Sequence, residues 1–392
     1  MTAPIAPTAL SQSAHLVHGM GTALEAPVWP AITVDEASAV LDRFPAAGRM
    51  AGSRSGLHWH SPRPFSAAAQ VQTDAGRFFL KRHHRRVRTP GALAPEHRFM
   101  AHLQNAGLAV SAIVPARDGT GAVAQGDWTY ELFRQTPGLD LYRDRQSWTP
   151  FLDHGHAGAA GAALAQLHRA AQDFAAGPRG PDPLVASFTI LPSHDPLTAA
   201  AAYIAARPAL AAFLADKPWR QDLGRLFAML GQGLTERLAG QPPLWTHNDW
   251  HPSNQLWSAD GMVDCMFDFG LATRTCALHD IATAIERTAI PWLHLRDGTI
   301  DTPADVDGAL ALLAGYRTVL PLGAADVETI VRLLPLVHIE FALSEVDYFA
   351  GILADPAQAG LAWHGYAIDH AEWFLSHAGQ DFLQQLRKRA GA

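Results

Sequence analysis

The sequence predicts an α+β fold in two lobes: a small antiparallel sheet with one central helix, then a large, mainly helical lobe. Three observations carry this. Alternating apolar and polar runs joined by turn residues cluster before residue 135. Thr136-Pro137-Gly138 then breaks the pattern. Beyond it the apolar spacing is helical, interrupted by one loop-and-hairpin segment near residues 244–270. A chain of 392 residues is long enough to bury two cores. The expected division is 1–135 and 136–392.

Residues 1–30 carry several Pro and Gly without a period and read as a loosely held lead-in. Thr33-Val34-Asp35-Glu36 has the pattern of a capping box, and Ala37, Val40, Leu41 and Phe44 form an apolar stripe after it. Residues 66–73 and 77–82 read as strands joined at Asp74-Ala75-Gly76. Residues 96–107 read as a helix with Phe99, Met100 and Leu103 inward and Gly107 as its stop. Residues 110–115 and 123–133 read as further strands. After the break, helices are expected over 156–174, 197–214, 220–238, 281–287, 305–319 and 326–349, with a last group over 366–388. Thr302-Pro303-Ala304-Asp305 is a helix-start signal with Pro at the first position.

Composition narrows the class. Hydrophobic residues make up 48% of the chain and charged residues 17%, as in ordinary globular proteins. The net charge of -7 gives no reason to expect nucleic acid or an anionic membrane as partner. Cys265 and Cys276 are the only cysteines, which suits a reducing compartment better than a disulfide framework. Residues 1–14 lack the basic and apolar regions of a signal peptide. The alanine-rich run 199–215 contains Arg207-Pro208 and is a poor membrane span. The expectation is a cytoplasmic protein; its oligomeric state is left open.

The chemistry is concentrated in His247-Asn248-Asp249-Trp250-His251-Pro252-Ser253-Asn254 and in Asp268-Phe269-Gly270. The first reads H-x-D-x-x-x-x-N, and the D-F-G begins fourteen residues beyond the Asn. Phosphoryl transfer needs a carboxylate beside the attacking hydroxyl, and an amide and a second carboxylate to hold magnesium on the phosphates. Asp249, Asn254 and Asp268 supply these in order. Residues 255–257 and 262–267 form a hairpin that returns Asp268 toward Asn254. Hard oxygen donors of this kind suit magnesium. His247 is expected to brace the loop by hydrogen bonding.

The preceding lobe should provide a lysine on a strand and an acid on the next helix. Lys81 and Glu96 stand there, and a Lys81–Glu96 pair would aim the ammonium at the phosphates. Lys81 also opens a basic stretch to Arg88, whose bland alternative is a solvated edge. The loop over the phosphates shows no G-x-G-x-x-G. It reads His58-Trp59-His60-Ser61-Pro62-Arg63-Pro64-Phe65-Ser66, and its two prolines remove backbone donors.

These motifs resemble the aminoglycoside phosphotransferase/choline kinase family, which has a protein-kinase-like fold. The likeness runs from about Gly56 to Ala284. It includes Phe79-Leu80-Lys81, Tyr130-Glu131-Leu132-Phe133 ahead of Gly138, Leu164-Ala165-Gln166-Leu167-His168 and His279-Asp280-Ile281-Ala282, besides the two motifs above. The resemblance implies ATP (or GTP) and Mg2+ as cofactors, with Asp249 as catalytic base and Asn254 and Asp268 as metal ligands. It implies Lys81 on the phosphates with Glu96 behind it, adenine on the backbone of Glu131, Leu132 and Phe133, and Asp280 as structural support of the catalytic loop. Asn248 stands where the family commonly has Gly.

Asp268 is only twelve residues before Asp280, and no A-P-E follows. A peptide-docking segment has no room there, which points to a small-molecule acceptor. Glu340, Ser344 and Asp347 share one helical face and are the candidate acceptor contacts, unless that face is turned to water. The alternatives are a regulatory protein Ser/Thr kinase of the same superfamily and a non-catalytic nucleotide-binding pseudokinase.

Overall fold

The computed structural model describes residues 15–50, 56–296, 298 and 304–391. The reading of residues 1–14 and the Thr302-Pro303 signal lie outside these residues.

The described chain opens on two short paired strands, β1 (Val17–His18) and β2 (Leu24–Glu25). Helix α1 (Val34–Leu41) begins with the expected reciprocal cap: Thr33 Oγ1 accepts from the Glu36 N–H at 3.2 Å, and Glu36 Oε2 from the Thr33 N–H at 3.3 Å. Its Ala37–Val40–Leu41 face and Phe44 pack in one core with Ala69, Val71, Phe78 and Leu80 of the sheet.

That sheet is antiparallel, in the order β3-β4-β5-β7-β6. Its strands are β3 (Leu57–His60), β4 (Ala67–Thr73), β5 (Gly76–His84), β6 (Ala122–Gln125) and β7 (Trp128–Arg134). Gly76, at φ +127°, makes the β4–β5 turn in a region that L side chains rarely enter. The register sets Lys81 opposite Ala68 on one side and Glu131 on the other. Residues 110–115 form isolated bridges only, from Val110 to Met266 and from Ile113 to Phe133.

Helix α2 (Pro90–Asn105) starts six residues earlier than expected. Thr89 caps the Ala92 N–H at 3.2 Å and Pro90 takes the first helical position. Glu96 is therefore mid-helix and buried. Phe99, Met100 and Leu103 point inward, into the core shared with the later helices.

The rest is largely helical: α3 (His154–Ala171), α4 (Pro196–Ala205), α5 (Pro208–Leu214), α6 (Trp219–Leu230) and α7 (Leu234–Ala239) come first. Strands β8 (Pro243–Thr246), β9 (Gln255–Trp257), β10 (Val263–Met266) and β11 (Thr273–Cys276) interrupt them. Then follow α8 (Ala277–Ala289), α9 (Trp292–Arg296), α10 (Val306–Arg317), α11 (Ala324–Leu333), α12 (Ile339–Asp347), α13 (Pro356–Leu361), α14 (Asp369–Trp373) and α15 (His377–Ala390). Three expected long helices are broken. The 197–214 run bends by 113° before Pro208, the 220–238 run stops at Gly231–Gly233, and the 326–349 run divides after Leu333. Among the described residues no single helix is long and apolar enough to cross a membrane.

Helices α3 and α10 meet backbone to backbone. A Cβ on Gly161 would stand 1.9 Å from Leu312 O, and one on Gly315 would stand 1.9 Å from Gly158 O. This close crossing brings His168 Nδ1 within 2.9 Å of the Tyr316 hydroxyl and fixes the imidazole that faces Asp280.

The described part of the lead-in is tied down, contrary to expectation. The His18 N–H donates to Pro62 O at 2.7 Å, and Gln146 Nε2 donates to Gly21 O at 2.8 Å. Met20 O accepts from the Tyr366 hydroxyl at 2.6 Å and from Arg296, and the Trp29 indole N–H donates to the Tyr348 hydroxyl at 2.9 Å. Partners this distant in sequence leave no periodic trace.

Candidate active site

The pairing of β8 with β11 holds the 247–254 loop at the end of a short ladder. Asn248 turns the chain at φ +60°, a left-handed conformation that Asn tolerates and Gly adopts freely. Its side chain is fully used: Oδ1 accepts from Thr246 Oγ1 at 3.0 Å, and Nδ2 donates to Thr246 O at 3.2 Å. Asp280, completely buried, accepts from the His247 N–H at 2.9 Å, the Asn248 N–H at 2.7 Å and His168 Nε2 at 3.0 Å. Burial alone would raise its carboxyl; the His168 bond and the neighbouring imidazoles outweigh that and hold it below the usual range. His247 Nδ1 accepts from the Asp249 N–H at 3.2 Å, so its Nε2 carries the proton donated to Phe267 O at 3.1 Å. Burial keeps this imidazole neutral, with a pKa below the ordinary value.

Asp249, Asn254, Asp268 and Lys81 line one cavity between the sheet and the helices. Asn254 Nδ2 donates to Asp249 O at 3.0 Å and to Asp249 Oδ2 at 3.1 Å, which leaves Asn254 Oδ1 for a cation. The Phe267 N–H donates to Asn254 O at 3.0 Å and ties this loop to the approach to Asp268. Asp268, at φ +56°, presents Oδ1 to Lys81 Nζ at 2.8 Å. Burial pushes the Asp268 carboxyl up, but the charge and hydrogen bond of Lys81 bring it to about 2. The same pairing raises the Lys81 ammonium above its ordinary value despite burial. Asn254 Oδ1 and the Asp268 carboxylate are hard oxygen donors and fit a magnesium ion that keeps water and phosphate oxygens as its other ligands.

Three sequence expectations need correction. Lys81 pairs with Asp268, and Glu96 turns instead to Arg179 Nη1 at 3.1 Å. Glu96 opens onto the cavity, but no ion pair joins it to Lys81. Glu131, Leu132 and Phe133 sit inside the sheet, between β5 on one side and β6 with residues 113–114 on the other. Their peptide groups serve the ladder, and the Glu131 carboxylate joins His83 Nε2 at 2.8 Å and His97 Nε2 at 2.6 Å. Glu340, Ser344 and Asp347 do not line the cavity; the first two are buried and Asp347 is half-buried. Glu340 accepts from the Thr189 and Ile190 N–H groups at 3.0 Å, Ser344 Oγ from the Leu184 N–H at 2.8 Å, and Asp347 Oδ1 from the Leu210 N–H at 3.2 Å. They anchor the 184–190 segment and α5.

The neighbouring face of α12 does reach the cavity, through Phe341 and Glu345. The Glu345 side chain is fully buried, and neither carboxylate oxygen has a hydrogen-bond partner. His338 Nε2 stands 3.8 Å from Oε2, too far for a hydrogen bond. Burial holds the Glu345 carboxyl above the usual range. Behind it, Glu286 lies 3.6 Å from His338 Nδ1 and 3.2 Å from His370 Nδ1. Arg287 is the second residue the sequence reading missed. Its Nη1 donates to Asp249 Oδ1, and its guanidinium lies 5.0 Å from the Trp148 ring centroid and 5.2 Å from that of Phe341. Asp280 and Arg287 are seven positions apart, so both lie on one face of α8 and grip the catalytic loop at two points. That spacing was the available signal.

Comparison with known proteins agrees with this fold. A homoserine kinase of Gluconacetobacter diazotrophicus is 29% identical over 259 residues, 65% of this chain and 70% of that protein. The structure of a microcompartment-associated aminopropanol kinase superposes with a TM-score of 0.57 at 19% identity, covering 88% of this chain and 98% of that one. An amicoumacin kinase solved with AMP-PNP and Ca2+ gives 0.54 at 16% identity, over 90% and 93%. Both share the protein-kinase-like fold. The family model described as phosphotransferase enzyme family matches residues 65–320, from just before β4 through α10. With well over half of its length in that match, the chain belongs to the phosphotransferase enzyme family and is a small-molecule kinase.

Proposed function

We propose that the chain transfers the γ-phosphoryl group of Mg–ATP to the hydroxyl of a small acceptor that carries an amino group. The observation that carries this is the cavity itself. Lys81, Asp249, Asn254 and Asp268 line it together, and so does Glu345, a buried carboxylate with no hydrogen bond and only the His338 imidazole beside it.

Lys81 releases Asp268 and turns to the phosphates, while Asn254 and Asp268 hold the metal. Bound magnesium supplies charge neutralisation across the phosphates. Asp249 orients the acceptor hydroxyl and takes its proton, its carboxylate kept in place by Arg287 and Asn254. His247 and Asp280 shape the loop and touch no reactant. On the acceptor side, an ammonium pairs with the Glu345 carboxylate and satisfies its oxygens, in a cavity also lined by Trp148, Phe341 and Tyr366. The homoserine kinase relative is named for an acceptor of this chemistry, an amine with a hydroxyl.

The test is turnover with Mg–ATP and Mg–GTP against hydroxy amino acids, amino alcohols, their amine-free analogues, sugars and a generic protein. Turnover of the amine-bearing alcohols well above their amine-free analogues is expected. Phosphorylation of protein alone, or indifference to the amine, would overturn the reading.

A further inference from the structure

The loop between β3 and β4 borders the cavity beside Lys81, through Arg63, Pro64, Phe65 and Ser66. A glycine-rich loop would cover phosphates with backbone N–H groups. Four consecutive residues here have none to give. Pro62 and Pro64 lack the donor, the Ser61 N–H goes to Ala68 O at 2.8 Å, and the Arg63 N–H goes to Ser61 Oγ at 3.3 Å.

We propose that the Arg63 side chain replaces those amides and binds the nucleotide's phosphate chain together with Lys81. This rests on the nucleotide reading above. Arg63 shares the cavity with Lys81, Asn254 and Asp268, and its charge acts on Asp268, Asp140 and His251. Burial brings the guanidinium only to about 10, so it is a cation at neutral pH. Its side-chain hydrogen bond among the described residues is from Nη1 to His18 Nδ1 at 3.1 Å. Burial and Arg63 itself lower His18 to about 4, so the imidazole is neutral and accepts the proton. A neutral partner steers the guanidinium without cancelling its charge. The remaining donors keep the planar fork that suits two phosphate oxygens. His18 is thus a positioning residue, held over the loop by its own N–H on Pro62 O.

The experiment is calorimetric binding of Mg–ATP, Mg–ADP and adenosine to the wild type, Arg63→Gln and Arg63→Lys, with a melting curve of each free protein. Arg63→Gln should weaken Mg–ATP roughly 10- to 100-fold, the range of hydrogen bonds to charged groups. Adenosine should bind all three alike, and Arg63→Lys should recover part of the loss. Equal Mg–ATP affinity in wild type and Arg63→Gln overturns this proposal alone. Equal loss for adenosine and ATP, or no recovery with lysine, also overturns it, because the role would be structural. A wild type that binds no nucleotide overturns the kinase reading with it.

Discussion

The two sides of the cleft treat buried charge in opposite ways. On the nucleotide side each acid has donors: Lys81 for Asp268, three groups for Asp280, two histidines for Glu131 and Arg179 for Glu96. On the acceptor side Glu345 has no hydrogen bond. A partnered buried carboxylate stiffens the fold and is costly to break. An unpartnered one costs stability in the free protein and is worth most when a ligand completes it. The acids of the first side are satisfied by the protein itself; Glu345 on the second is left for the substrate.

Breaking each side should give a different signature. Asp249→Asn, at the seam between them, should lower kcat about 10²–10⁴-fold with Mg–nucleotide affinity retained. Single-turnover rates and nucleotide calorimetry would check this, and equal losses in both would remove the proposed role. Asp280→Ala should cost about 3–5 kcal/mol in urea unfolding, since it strands His168 and two buried N–H groups. Glu345→Gln should cost much less in unfolding than Asp280→Ala, because it removes only the His338 charge partner and no hydrogen bond, and it should raise the acceptor KM roughly 10- to 100-fold with the ATP KM steady. A Glu345→Gln as destabilised as Asp280→Ala, with a normal acceptor KM, would erase the contrast.

The smallest effect is in pH. Asp268 is held at about 2, below its unfolded value of 3.8, so its contribution is present above 3.8 and lost as pH falls toward 2. His338 is raised from 6.5 to about 9 by Glu286 and Glu345, which outweigh burial. Its contribution is therefore complete below 6.5 and lost as pH rises through 9. Asp268→Asn should flatten the acid limb of the stability curve, and His338→Gln the alkaline limb. Loss of the same limb in both variants would show that the sides are not independent.

What could be read from sequence follows from how local each feature is. Asp249, Asn254 and Asp268 are joined by one short hairpin, so spacing alone placed them together. The capping box, the β4–β5 hairpin and the helical remainder are local in the same sense. On α12 the spacing showed that Glu340, Ser344 and Asp347 share a face, but not that residues 184–190 and α5 cover it. The same limit hid Glu345, one position away. The Glu96 partner, Arg179, lies in a segment without regular structure, and no period announces it. The 131–133 strand read correctly as a strand, yet its position inside the sheet depends on β6 and residues 113–114, which only tertiary structure supplies.

Residues 17–29 bond to the β3–β4 loop at one end and to Gln146, Arg296, Tyr348 and Tyr366 at the other. His18, Gly19 and Met20 of that stretch line the cavity. A cleft tethered in this way widens only as fast as those few bonds let go. A ligand-capture rate that levels off at high concentration is the expected mark of such a tether, and stopped-flow binding would show it.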